Sequence, residues 1–315
     1  MARVLCDPSS PSEHARAVLA RMDVMLETST PPWSGDDVVG LISFDPVTAD
    51  DLARLPALRV IATPSVGFEH IDVTAATQRG IWVCHVPDYC IDEVADHALA
   101  LLLALVRGVV ELDRSVGEGR WEAKAAGPLR RLRDIRVGVV GFGRIGRALS
   151  ERLLALGVDV WATDALLPDD TIAAAGPHSA TLDELLRSCD AVSLHTPLTA
   201  ETDGLIGARE LALLPRGAYL VNVARGGLVD EAAVIAALES GQLAGAALDT
   251  LHSEPPARAP RTSRLIVTPH AAWYSERAEA EVHRRAAESV QVALKGSRPP
   301  RAVNEIHDRA GDSPA

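Results

Sequence analysis

Three residues with complementary chemistry stand in separate segments of the chain: Arg225 in NVARGGLVD, Glu254 in LHSEPPAR and His270 in TPHAAWYSE. A histidine can give and take a proton near neutral pH. A carboxylate beside it steadies the imidazolium and fixes which ring nitrogen carries the proton. A guanidinium can hold a carboxylate through two parallel bonds, or steady charge growing on a carbonyl oxygen. Together the three can work a proton on a small anionic carbonyl compound. Glu254 lies 16 residues before His270, in the connection into RLIVTPH, and two glycines behind Arg225 free the backbone to turn beside a ligand. Each also has a plainer reading: the acid and histidine as unrelated surface residues, the arginine as a helix cap or a solvated side chain.

A second set reads as a phosphate cradle. Gly141-Phe142-Gly143-Arg144-Ile145-Gly146 follows the apolar run RVGVV and opens the helix-like GRALSERLLALG. The first glycine permits the tight turn, the second lets backbone approach a pyrophosphate, and the third lets helix and strand pack closely. The helix start then offers N–H groups and a partial positive charge to phosphate. Such a pattern alone also fits an ordinary turn. Here VDVWATD ends in Asp164, 23 residues beyond Gly141. A carboxylate there can bond ribose hydroxyls and repel a 2′-phosphate, which favours NAD over NADP. The alternative is a solvated strand-end carboxylate.

These residues need elements to carry them. The strand candidates before residue 100 are RVLC (3–6), DVMLE (23–27), VVGLISF (38–44), LRVIAT (58–63) and GIWVCHV (80–86), with helix-like segments such as DVTAATQRG (72–80) between several. That alternation implies parallel βα units. A long helix is expected from Ile91 to about Val116, with acidic residues in its first turn. A second series follows: IRVGVV, VDVWATD (158–164), AVSLHT (191–196), AYLVNVA (218–224), AGAALDT (244–250) and RLIVTPH (264–270). Six strands with intervening helices predict one doubly wound sheet. From Ser275 the chain turns polar and helical, and the tail DRAGDSPA lacks the apolar residues of an ordered segment.

The bulk numbers agree with this organisation. A chain of 315 residues suggests two domains. Its 47% hydrophobic and 23% charged residues fit a soluble globular protein, and the strand–helix alternation puts it in the α/β class. The net charge of -12 argues against a nucleic-acid partner. Four cysteines without CxxC spacing point to a reducing cytoplasm and to no metal site. The start MARVLCDPSS has no signal-peptide pattern, and ALALLLALV (98–106) is too short to span a membrane.

The ordered blocks SVGFEHIDV, VPDYCIDEVADHALALLLAL, VGFGRIGRAL, NVARGGLVDE, ALDTLHSEPP and TPHAAWYSE resemble those of the D-isomer-specific 2-hydroxyacid dehydrogenases over most of the chain. TPHAAWYSE is most similar to the C-terminal-binding protein branch, the NAD(H)-binding corepressors. The resemblance implies a Rossmann NAD-binding domain (98–275) inserted in a flavodoxin-like substrate domain (1–97 and 276–315), with hinge crossings near His97 and Ser275. Arg225, Glu254 and His270 would be catalytic, His270 as general acid/base. Val140 to Ile145, Gly146, Asp164, the loop Thr196-Pro197 to Thr202, Val223, Ala224, Arg225, Asp249, His270, Ala272 and Trp273 would line NAD. Backbone N–H groups of Ser65, Val66 and Gly67 would bind the substrate carboxylate, and Trp273 would wall the substrate. Many relatives carry Arg or Lys where this chain has Thr63, which favours a small or apolar keto acid. RGVVELDRSVGEGRW commonly forms the dimer contact in relatives, so a homodimer is implied.

The expected activity is therefore NAD-dependent interconversion of a 2-keto acid and a D-2-hydroxy acid. The alternatives are an NAD(H)-sensing binding protein of the corepressor type, or a dehydrogenase of the same fold acting on another small anionic donor such as phosphite. Among the remaining candidates, His195 ends a strand but would lie by the far half of the cofactor. His252 is not tied to Arg225, His70 fits a supporting role for the substrate loop, and Cys90 has no basic neighbour to lower its pKa.

Overall fold

The computed structural model describes residues 1–8, 13–258 and 260–306; the tail DRAGDSPA lies outside the described residues. The chain divides into two compact units, one of Met1–Tyr89 with the segment from Ser275, the other of Cys90–Tyr274.

The first unit is built on five strands: β1 (Ala2–Cys6), β2 (Val24–Thr28), β3 (Val38–Ile42), β4 (Val60–Ala62) and β5 (Trp82–Cys84). They pair in parallel in the order β2-β1-β3-β4-β5, the flavodoxin-like winding. Short runs rich in Val, Ile and Leu suit strands covered on both faces. Leu5, Leu41, Ile61 and Val83 from the strands meet Trp33, Leu52, Leu55 and Ile81 in one core. The helix Glu276–Leu294 returns the chain to this unit, packing on β3 and β4 and on the helix Glu13–Leu19. Ser275 caps it, accepting the N–H of Ala278 at 3.0 Å. Asn304 then pins the following segment, accepting from Val83 N and donating to the Ile81 carbonyl, both at 2.9 Å.

The second unit carries seven parallel strands: β6 (Arg136–Val140), β7 (Asp159–Thr163), β8 (His178–Ser179), β9 (Ala191–Leu194), β10 (Ala218–Asn222), β11 (Leu243–Leu248) and β12 (Leu265–Val267). Their order is β12-β11-β10-β9-β6-β7-β8. The direction of winding reverses between β6 and β9, so the crevice of this sheet opens at the carboxyl ends of those two strands.

Three differences from the sequence expectation have physical causes. The seventh strand, β8, is only two residues long and has no apolar run to announce it. The long helix is two helices, Ile91–Arg107 and Val109–Gly117, because Gly108 adopts a left-handed conformation (φ 59°). A Cβ there would stand 2.5 Å from that of Ala126, so only glycine fits at the break. The first crossing between units falls at Tyr89–Cys90 rather than near residue 97. The helix Ile91–Arg107 packs along its length on β10, β11 and the helix Arg144–Ala155, so it cannot be shared.

Candidate active site

The phosphate cradle forms where β6 ends. Gly141 turns with φ 93°, and a Cβ on it would come within 2.7 Å of the His195 carbonyl and Thr196 nitrogen at the end of β9. A Cβ on Gly146 would lie 2.1 Å from the Gly141 carbonyl oxygen, so only glycine lets the helix Arg144–Ala155 start this close to the strand. A Cβ on Gly143 would meet no heavy atom within 4 Å. The first and third glycines therefore serve packing, and the second serves access.

Asp164, at the end of β7, closes this turn. Its Oδ2 accepts the N–H of Phe142 at 2.7 Å, and its Oδ1 accepts those of Leu166 and Leu167 at 2.9 and 3.2 Å. A carboxylate has about four lone-pair sites, so room remains for a hydroxyl. Phe142 has a different task from lining a ligand with its ring, which is fully buried beneath the Arg147 guanidinium. Val140, Val223, Asp249 and Ala272 are likewise buried. Thr202 fixes the loop after β9, its hydroxyl donating to the Pro197 carbonyl at 2.7 Å. Burial pushes His195, at the end of the same strand, down to about 4, which unfits it as an acid at neutral pH.

His270 and Glu254 meet. His270 Nδ1 lies 2.7 Å from Glu254 Oε2, while Glu254 Oε1 accepts the N–H of Leu251 at 2.7 Å. One oxygen thus holds the ring and the other holds the loop that presents it. Arg225 begins the turn after β10, where Asn222 accepts from Ala224 N at 3.0 Å and donates to the Arg225 carbonyl at 2.8 Å. The guanidinium Nη1 donates to the Ala224 carbonyl at 2.8 Å. Next to it, a Cβ on Gly226 would stand 1.9 Å from the Leu251 carbonyl carbon. The arginine turn and the glutamate loop are therefore packed backbone to backbone, which is why glycine follows Arg225. A cavity of about 610 Å³ opens beside His270, Glu254 and Asp249, with Val110 and Arg114 on its wall.

The backbone of His270 is unusual: it alone among described non-glycine residues has positive φ, at 51°. Its N–H is held by the carbonyls of Asp249 (2.8 Å) and Thr268 (3.0 Å). The Asp249 carboxylate then collects the next two amides, Ala271 N at 2.9 Å and Ala272 N at 3.0 Å, and the Thr268 hydroxyl at 2.5 Å. Beyond the turn, Trp273 and Tyr274 meet edge to face, 5.6 Å between centroids. The sequence marks Asp249 only as a residue along the cofactor, and Thr268 not at all.

In the first unit, the loop after β4 is braced by its own side chains. Thr63 is fully buried with its Oγ1 2.7 Å from Ser65 Oγ, and Ser65 Oγ donates to the Gly67 carbonyl at 2.5 Å. The Val66 carbonyl lies 2.7 Å from His85 Nδ1, and the Phe68 ring stands edge-on to the His85 ring.

Comparison with known proteins shows the family of the chain. The family model for the D-isomer specific 2-hydroxyacid dehydrogenase NAD binding domain matches residues 99–272. A glyoxylate reductase of Korarchaeum cryptofilum is 38% identical over 277 residues, covering 86% of this chain and 83% of that protein. A D-3-phosphoglycerate dehydrogenase of Mycobacterium tuberculosis is 39% identical over 270 residues, covering 85% of this chain and 51% of that protein. The crystal structure of D-lactate dehydrogenase from Aquifex aeolicus, complexed with NAD and lactic acid, is similar with a TM-score of 0.86 and 28% identity, covering 96% of this chain and all (100%) of that one.

Proposed function

Because the chain belongs to the D-isomer specific 2-hydroxyacid dehydrogenase family, we propose that it reduces a small 2-oxo acid to the D-2-hydroxy acid, with His270 delivering the proton. NAD is the cofactor of the family's matching domain, and the residues present fit it. The Gly141 turn, the open approach at Gly143 and the Asp164 carboxylate form a pyrophosphate-and-ribose cradle of the expected kind. When bound as NADH, the cofactor supplies the hydride that reduces the 2-oxo carbon.

The protein's own part is proton delivery and charge stabilisation. Glu254 takes the Nδ1 edge of His270, which leaves Nε2 to pass a proton to the substrate's carbonyl oxygen. Arg225 carries a fixed positive charge on the turn locked against the glutamate loop, suited to the substrate carboxylate and to charge growing on the reacting oxygen. In the oxidative direction neutral His270 takes the proton back. The observation that carries the reading is the 2.7 Å contact of His270 with Glu254 on a turn fixed from behind by Asp249.

Thr63 narrows the substrate class. It is neutral, buried and bonded to Ser65, so this position brings no cation for a second anionic group. That favours a compact substrate such as glyoxylate over a phosphorylated one. The reported relatives are named as reductases and dehydrogenases, which favours the enzyme over the NAD(H)-sensing alternative. The working form is a homodimer in this reading. Val109, Val116 and Trp121 are exposed on and just after the helix Val109–Gly117, in the segment assigned to that contact. Light scattering after size exclusion tests the dimer.

The activity is tested by following NADH oxidation with a panel of glyoxylate, pyruvate, hydroxypyruvate and phosphohydroxypyruvate. Turnover of one of the first three, lost by about 10²–10⁴-fold in His270→Ala, is expected. No turnover with any of the four, or full activity in the variant, removes the proposal.

A further inference from the structure

Behind the turn that presents His270 lies a histidine to which neither the mechanism above nor the family assignment gives a task. His97 sits on the helix Ile91–Arg107, in register with the buried residues Val94 and Leu101. Its Nε2 is 3.2 Å from Thr268 Oγ1 and 3.6 Å from Asp249 Oδ1. Thr268 has one hydroxyl proton and spends it on Asp249 Oδ1 at 2.5 Å. The threonine oxygen can then only accept from the imidazole, so Nε2 of His97 is the protonated nitrogen. A directed chain results: His97 Nε2–H to Thr268 Oγ–H to the Asp249 carboxylate.

The end of that chain matters most. The Asp249 side chain is fully buried, and a buried carboxylate is stable only when its oxygens are filled by donors. Its other donors are the amides of Ala271 and Ala272, the two residues after His270. His270 itself holds a left-handed conformation that non-glycine residues rarely adopt, so surrounding bonds must impose it. Each donor in a hydrogen-bonded chain strengthens the next.

We propose that His97 is a positioning residue of the active site: through Thr268 and the buried carboxylate of Asp249 it holds the turn that carries His270. It touches no reacting atom and acts on the orientation of the proton donor alone. The kinetic consequence rests on the functional reading above; the structural consequence does not.

The test therefore has two arms on the full chain. In the first, amide hydrogen exchange at Ala271 and Ala272 is measured by NMR without substrate. His97→Ala and Thr268→Val should each speed exchange about tenfold or more, while His97→Gln, whose amide can still donate, should stay near the parent rate. The double variant H97A/T268V should be no worse than the worse single one, since both cut the same chain. Unchanged exchange in His97→Ala, or additive losses in the double variant, overturns the proposal. In the second arm, kcat for the accepted 2-oxo acid should fall about tenfold in His97→Ala with KM little changed, and His97→Gln should recover most of it. A parent-like kcat in His97→Ala also overturns it. If the parent protein turns over no 2-oxo acid, the functional reading fails while the exchange arm still decides the relay.

Discussion

Glu254 grips His270 and its own loop with the same carboxylate, 2.7 Å to the ring nitrogen Nδ1 and 2.7 Å to the amide of Leu251. Both partners donate, so both oxygens must accept. Glutamine has one accepting oxygen and cannot serve both. Glu254→Gln should lower kcat about 10²-fold, because the ring loses either its tautomer or its presenting loop. NADH affinity should be unchanged. Steady-state kinetics beside a fluorescence titration of NADH separate the two quantities; an equal loss in both would count against the assigned role.

The glycines of the cradle should separate by function. Gly143→Ala places a methyl that meets nothing within 4 Å beyond its chain neighbours, so thermal stability should hold within about 2 °C. NADH binding should weaken at least about tenfold, because the pyrophosphate needs that approach. Gly146→Ala drives a methyl to 2.1 Å from the Gly141 carbonyl oxygen. It should cost about 3 kcal/mol or more in stability before any question of binding arises. Calorimetry and titration of both variants check this; a destabilised Gly143→Ala would show that the site is closed to ligand.

Asp164 holds the turn, and the proposed reading also gives it the cofactor choice. Asp164→Asn removes the charge and keeps one acceptor, for the amide of Phe142 or for those of Leu166 and Leu167. NADH efficiency should fall about tenfold and the gap to NADPH should narrow. Equal kcat/KM ratios for the two cofactors before and after the change would assign Asp164 to the turn only.

Acid sensitivity should have a component at His195. Burial holds its folded pKa at about 4, below the ordinary value near 6.5 of an unfolded chain. Between those values the unfolded state binds the extra proton. The stabilisation is complete above pH of about 6.5 and is lost as pH falls toward 4, amounting to about 3 kcal/mol over the whole range. Urea unfolding at pH 7 and pH 5 should show a smaller difference for His195→Gln than for the parent protein. An identical difference would mean that the ring is solvated when folded.

The residues of the candidate site were more legible in the sequence than the scaffold that holds them. Glu254 and His270 could be paired because both stand in loops flanking a readable strand, and the cradle because its glycines sit between a strand and a helix. His97 goes unmarked in the sequence because it lies inside DEVADHALALLLAL, where a helix start and an apolar helix dominate the pattern. The one signal was a polar residue on the buried stripe of that helix, spaced three after Val94 and four before Leu101. Gly108 goes unmarked for a related reason: VRGVVELDRSV keeps its helical spacing across the break, and the Ala126 methyl that forbids a side chain is distant in sequence. Contacts made by residues far apart leave no local mark, and the Asp249 network is made almost wholly of them.

The left-handed backbone at His270 decides which substitution can weigh its imidazole fairly. Alanine there removes the ring and also leaves a side chain in a conformation it resists, so part of any loss would belong to a shifted loop. Asparagine tolerates that region far better and has no ring to titrate near neutral pH. The comparison of asparagine with alanine at this one position would divide the lost rate between missing chemistry and misplaced main chain.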